Sequence, residues 1–144
     1  MRVAVVFYGS GRSDQLKDLA RALARGIERQ GVQVQVDLLD VAVDREKKLT
    51  LYDYLVVGMV SETLFRPKVP GALKEFLARA GQIAGKRAFA FVPKRMFAAK
   101  ALLKLMAAME HEGLYLKNSA VISSPAEAEY LGEHLHLSTR PREE

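Results

Sequence analysis

Residues 9–13, Gly9-Ser10-Gly11-Arg12-Ser13, bring together groups that bind an anion. Gly9 and Gly11 let the chain bend tightly and let its backbone come close to a ligand. Ser10 and Ser13 supply hydroxyl donors, and Arg12 supplies a positive charge. Before this turn stands a continuous apolar run, Val3-Ala4-Val5-Val6-Phe7. After it, apolar residues recur at helical spacing: Leu16, Leu19, Ala20, Leu23, Ala24 and Ile27. A strand–turn–helix unit of this kind aims the free N–H groups of a helix's first turn, and the positive end of its dipole, at a phosphate. The same residues also suit a plain capped turn, with Ser13 as the N-cap and Asp14 favouring the dipole.

Two later stretches carry further candidates. Ser61 and Thr63 can donate to a ligand carbonyl, although polar residues are ordinary in a loop. Phe65 either stacks on a flat ring or plugs the core behind its loop. Lys94 and Arg95 either face an anionic ligand or form a solvated helix entrance. Other chemistries lack their residues. No Gly-x-Ser-x-Gly elbow is present. A phosphoacceptor domain needs acids at the ends of the first and third strands, where Phe7 and Val60 stand. His134 and His136 are two apart and do not share a helix face, so no metal site is expected of them or of His111. No residue is expected to act as acid, base or nucleophile.

Around these residues the spacing predicts a β/α alternation. Val32–Leu38 alternates apolar and polar residues, as a strand at or near a sheet edge does. Residues 40–50 are polar and form a short helix or a loop. Residues 54–60 are apolar on both faces, as a central parallel strand requires. Pro70 opens a helix that carries Leu73, Phe76, Leu77 and Ala80 on one face. A strand over 87–92 is closed by Pro93. A helix over 96–112, a strand over 119–123 and a helix from Pro125 to Leu135 complete the pattern, and residues 138–144 form a polar, frayed tail. This order implies a single domain over 1–144: a three-layer α/β/α sandwich around a five-stranded parallel sheet.

The bulk numbers agree with one domain. The chain has 144 residues, 49% of them hydrophobic, and no cysteine, which excludes disulfides and thiolate chemistry. No apolar run approaches the ~20 residues of a membrane span. Arg2 leads straight into a short strand and not into a signal-peptide core, so a cytoplasmic protein is expected. The net charge is +5, but no basic block of five or more residues exists and the cations look dispersed along helix faces. The basic surface admits a redox or acidic protein partner. No specific nucleic-acid binding and no membrane association are expected.

On these motifs the chain resembles the flavodoxin family, from Arg2 to about Leu137. The family's phosphate turn reads Ser/Thr-x-Ser/Thr-Gly-x-Ser/Thr. Tyr8-Gly9-Ser10-Gly11-Arg12-Ser13 matches it at Ser10, Gly11 and Ser13, with Tyr8 in the first position. Gly58 to Phe65, followed by Pro70-Gly71-Ala72-Leu73-Lys74-Glu75-Phe76-Leu77, is similar to the family's third-strand loop and the helix behind it. The resemblance implies a strand order of 2-1-3-4-5 and noncovalent FMN used for electron transfer. It implies that Ser10, Gly11, Arg12 and Ser13 hold the phosphate. Val60, Ser61, Thr63 and Phe65 then border one side of the flavin ring, and Pro93 and Lys94, within Val92 to Arg95, the other. The chain departs from the family after the fourth strand. There Val92-Pro93-Lys94-Arg95-Met96-Phe97 has no glycine, two cations and, at Pro93, no N–H. Two other functions fit the same residues: a flavodoxin-like module that has lost flavin and serves as an interaction domain, and a small FMN-dependent NAD(P)H:quinone-type reductase.

Overall fold

The computed structural model describes residues 1–9, 14–63 and 65–137. Five strands and four helices alternate along it: β1 (Arg2–Gly9), α1 (Asp14–Glu28), β2 (Gln35–Asp40), β3 (Tyr54–Val60), α2 (Gly71–Ala78), β4 (Arg87–Pro93), α3 (Ala98–His111), β5 (Tyr115–Ile122) and α4 (Pro125–Glu133). The strands form one parallel sheet in the order β2-β1-β3-β4-β5. This is the three-layer sandwich and strand order that the sequence led us to expect.

Alternate residues of the central strands feed two separate cores, because successive side chains of a strand point to opposite faces. Val3, Val5 and Phe7 pack with Leu16, Leu19, Leu23 and Ile27 of α1. Ala4 and Val6 face the opposite layer, with Leu73 and Leu77 of α2 and Leu105 and Met109 of α3. Across the sheet centre, Gly58 pairs with Phe91. A Cβ on Gly58 would lie within 2.6 Å of three atoms of the Phe91 ring, so the absence of a side chain on β3 makes room for an aromatic one on β4.

Several boundaries differ from the sequence reading. The expected strand over 32–38 is β2 at 35–40; Val32 is fully exposed and lies in a turn at 32–33. No helix joins β2 to β3. The connecting residues 41–53 instead lay Val41, Leu49 and Tyr52 over the α2/α3 face of the sheet, next to Ala4 and Val6. This irregular segment covers β1 where a helix would otherwise be needed. β5 begins at Tyr115, four residues before the expected start, because an edge strand tolerates polar residues such as Lys117 and Asn118. The helix expected from Met96 starts at Ala98, with Phe97 as its N-cap in the left-handed conformation (φ 62°, ψ 23°). The last helix ends at Glu133, two residues short of Leu135. The expected frayed tail, 138–144, lies outside the described residues.

Candidate functional site

The order β2-β1-β3 places the change in winding direction between β1 and β3, and open α/β sheets bind ligands beyond the carboxyl ends of their strands at that point. Three strands deliver chain there: β1 ends at Gly9, β3 at Val60 and β4 at Pro93. α1 starts at Asp14, so the four residues expected to hold an anion, Ser10, Gly11, Arg12 and Ser13, join the carboxyl end of β1 to the amino end of α1. These four lie outside the described residues.

The loop after β3 is bonded to itself. Ser61 Oγ donates to the Thr63 carbonyl at 2.9 Å and accepts from the Lys68 amide at 3.0 Å, tying the start of the loop to its end. Thr63 Oγ1 donates to the Arg66 carbonyl at 2.5 Å. Both hydroxyl protons are thus committed within the loop, and neither is free to donate to a ligand in this arrangement. Phe65 is 71% exposed, which removes the alternative that it plugs the core.

The loop after β4 meets it. The rings of Phe65 and Phe97 pack edge to face, with centroids 5.9 Å apart and planes at 60°. Lys100 Nζ stands 5.8 Å from the centre of the Phe97 ring, a cation over an aromatic face. Beneath the pair, the cleft between Met59–Val60 and Val92–Pro93 holds only about 10 Å³, room for about one water molecule. Lys94 is anchored through its backbone, its amide donating to the Ile122 carbonyl at 2.9 Å. The next three amides, of Arg95, Met96 and Phe97, have no acceptor among the described residues. Pro93 brings no N–H, as expected, but the three residues after Lys94 supply unpaired ones.

Phe97 is the site residue that sequence reasoning missed. Its apolar neighbours and helical spacing assign it to the buried side of a helix. Only the αL conformation, costing roughly 1–2 kcal/mol for an L-residue, turns it out toward Phe65. A bulky residue held in this region is a departure that surrounding structure must sustain.

Charge at this edge is arranged by the α4 amino end. The Glu127 carboxylate accepts from the Ser123 amide at 2.7 Å and from Ser123 Oγ at 2.8 Å. The amide bond, then the hydroxyl bond, hold its pKa below the ordinary value, and Lys94 adds a smaller pull in the same direction. Other displaced groups sit at the opposite, amino edge of the sheet. Burial, then the bond to Asp37 at 2.5 Å, pushes the Tyr52 phenol up to about 12, and the same bond lowers Asp37.

No protein-family model and no curated protein matches the chain. Solved structures do. Oxidised flavodoxin 1 from Bacillus cereus superposes with a TM-score of 0.70 at 16% identity, covering 94% of this chain and 99% of that one. A flavodoxin from the domain Archaea gives 0.68 at 20% identity, over 94% and 96% of the two chains. An azoreductase from Bacillus anthracis gives 0.62 at 11% identity, over 94% and 100%. The protein therefore has the flavodoxin-like fold, matched over nearly the full length of those chains.

Proposed function

We propose that the protein binds FMN noncovalently at the carboxyl edge of β1, β3 and β4 and uses it to transfer electrons. The observation that carries this reading is the exposed pair Phe65–Phe97, two aromatic rings set on facing loops at the strand ends where such sheets take their ligands. Likeness to flavodoxins and to an azoreductase supports it.

The residues suit the group in chemistry. A flat heterocycle needs apolar walls and a few donors along its polar rim. Phe65 and Phe97 offer the walls, Val60 an apolar floor, and the unpaired amides of Arg95 and Met96 the donors that Pro93 lacks. Lys94 and Arg95 add positive charge, which favours an anionic form of the bound group. Ser10, Gly11, Arg12 and Ser13 are proposed to hold the phosphate. When bound, FMN supplies one- and two-electron chemistry; the chain contributes position, exclusion of water and electrostatics. Entry of a ring replaces the Phe65–Phe97 contact, worth about 0.5–1.5 kcal/mol, by stacking on both faces.

Titration of the purified protein into FMN, read by flavin fluorescence, tests the proposal. One-to-one quenching is the expected result. A folded protein that leaves FMN fluorescence unchanged at tens of micromolar refutes it and favours the flavin-free interaction module. NAD(P)H turnover with quinone in the presence of FMN would assign the reductase chemistry.

A further inference from the structure

Cations at the α1–α4 seam and cations around α2 and α3 are handled differently. On the α1/α4 face, Arg25 pairs with Glu129, and Arg29 with Glu129 and Glu133. On the opposite face a groove of about 490 Å³ runs between α2 and α3. Lys68, Lys74 and Lys104 rim it, and none of the three has an ion-pair partner among the described residues. Its floor is apolar, made by Val69, Leu77, Ala107 and Ala108. From Lys104 a second hollow of about 400 Å³ continues along α3 past Leu103, a leucine 66% exposed, with Lys100 and Arg66 at its edge. Five cations thus line the two hollows against one carboxylate, Glu112. The expected dispersion of charge along helix faces does not hold here.

We propose that this groove docks an acidic protein segment, an amphipathic helix whose apolar stripe lies on the floor while its flanking carboxylates meet the lysines. Like charges held together repel one another, and a partner of opposite sign removes that cost while steering its own approach. The floor and the length suit a helix. Residues 100–111 of α3 span roughly 16 Å, about three helical turns. A helix laid in a groove presents apolar anchors at three- and four-residue spacing. The apolar atoms lie at the bottom of a concavity, which suits an inserted side chain and not the flat surface of a bilayer. The rim is mostly lysine, and the floor between α2 and α3 offers no aromatic ring on which a base would stack; a single exposed ring, Phe65, lies at the far end of the second hollow. The inference does not rest on flavin binding, although Phe65 and Lys100 of the second hollow adjoin the proposed flavin site.

The test uses the full chain labelled with ¹⁵N and two synthetic peptides of equal negative charge, one with leucines on a helical stripe and one scrambled. The stripe peptide is expected to shift amides of residues 66–77 and 100–112 saturably. K74E/K104E should weaken it about tenfold or more, whereas Arg21→Glu, on the exposed side of α1, should change it less than about twofold. The scrambled peptide should bind about tenfold more weakly. The substituted side chains are exposed, and unchanged melting curves will show that the variants fold. The proposal is overturned if shifts spread over α1 as well, if the two variants weaken binding equally, or if neither peptide gives a response. It is also overturned if the same amides respond to a single-stranded oligonucleotide or to phosphatidylserine vesicles more strongly than to the stripe peptide. That outcome would assign the groove to nucleic acid or membrane.

Discussion

Gly58→Ala is the substitution that tests most directly how the central strands set the shape of the site. An added Cβ meets three atoms of the Phe91 ring at 2.6 Å or less, and Phe91 is fully buried. The ring has no free space to retreat into, since protein interiors are packed to crystal density. Overpacking of this kind costs about 1–3 kcal/mol, and three overlapped atoms place it near the upper end. Replacing a strand glycine with alanine returns about 0.5–1 kcal/mol through the unfolded chain. The net expectation is a loss of about 2 kcal/mol. For a chain of 144 residues the unfolding entropy is about 0.3 kcal/mol/K, so the melting temperature should fall by roughly 6–7 °C. Phe91→Leu alone should cost about 1–2 kcal/mol through the void it leaves. In the double variant the new methyl partly fills that void, so the two losses should fall short of additivity by about 1 kcal/mol or more. Urea unfolding of the four proteins measures the cycle. Strict additivity would mean that the glycine is not there to admit the ring, and the account of the β3–β4 contact would be wrong.

The αL position of Phe97 gives a second comparison: Phe97→Gly should be more stable than Phe97→Ala by about 1 kcal/mol, read by the same unfolding assay, because only glycine adopts that conformation freely. If the aromatic pair borders a flavin, Phe65→Ala should raise the FMN dissociation constant about tenfold, while the exposed position limits the loss of stability to the Phe65–Phe97 contact, about 0.5–1.5 kcal/mol. Gly11→Arg should abolish flavin binding and leave a folded protein by circular dichroism; unchanged affinity would remove the phosphate role assigned to residues 10–13. Glu127 has a folded pKa below its ordinary value of 4.5, so its contribution to stability is complete above that value and is lost as pH falls through the lower folded pKa. Unfolding free energy followed between neutral pH and pH 3 should therefore decline less steeply in Glu127→Gln than in the parent. Ser124→Ala, which removes the N-cap bond to the Glu127 amide, should cost about 1 kcal/mol at neutral pH in the same assay.

The parts of the fold that were legible in sequence are those where one local signal decides. The run Val3 to Phe7 and the apolar residues 54–60 can only be buried strands, and Pro125 marks a helix start that the structure confirms. Where the outcome depends on a distant neighbour, local reading fails. Residues 115–118, with the polar pair Lys117 and Asn118, extend β5 because an outer strand has one open edge and Arg87 to Phe89 to pair with on the other. Residues 41–53 need no helix because three of their side chains suffice to seal one face of β1. At the candidate site, the sequence left Phe65 either stacked on a ring or plugging the core; its exposure removes the second, but its partner was not legible. Phe97 carries the pattern of a helix interior, and only its left-handed backbone, set by the turn after Pro93, brings it to Phe65. The alternation of charged and apolar residues along α2 and α3 likewise gives no hint that their lysines converge on one groove.

The fit between α1 and α4 governs when this protein is able to finish folding. Gly26 and Gly132 bring the two helix backbones into contact, since a Cβ on either would fall on the other helix's main chain. Gln30 Nε2 bonds the carbonyls of Gly132, 102 positions away, and Leu135, 105 positions away. The ribosome makes α1 before α4, and the helix that Gln30 bonds lies 102 residues further along the chain. Until α4 is made, the glycine-notched flank of α1 is bare, and a nascent chain that has already paired β1 with β3 still awaits closure. Such long-range closure slows folding and lengthens the time an apolar helix face stands open to other chains. A variant with larger residues at Gly26 or Gly132 should therefore betray itself first as aggregation during synthesis, before any change in the finished molecule is sought.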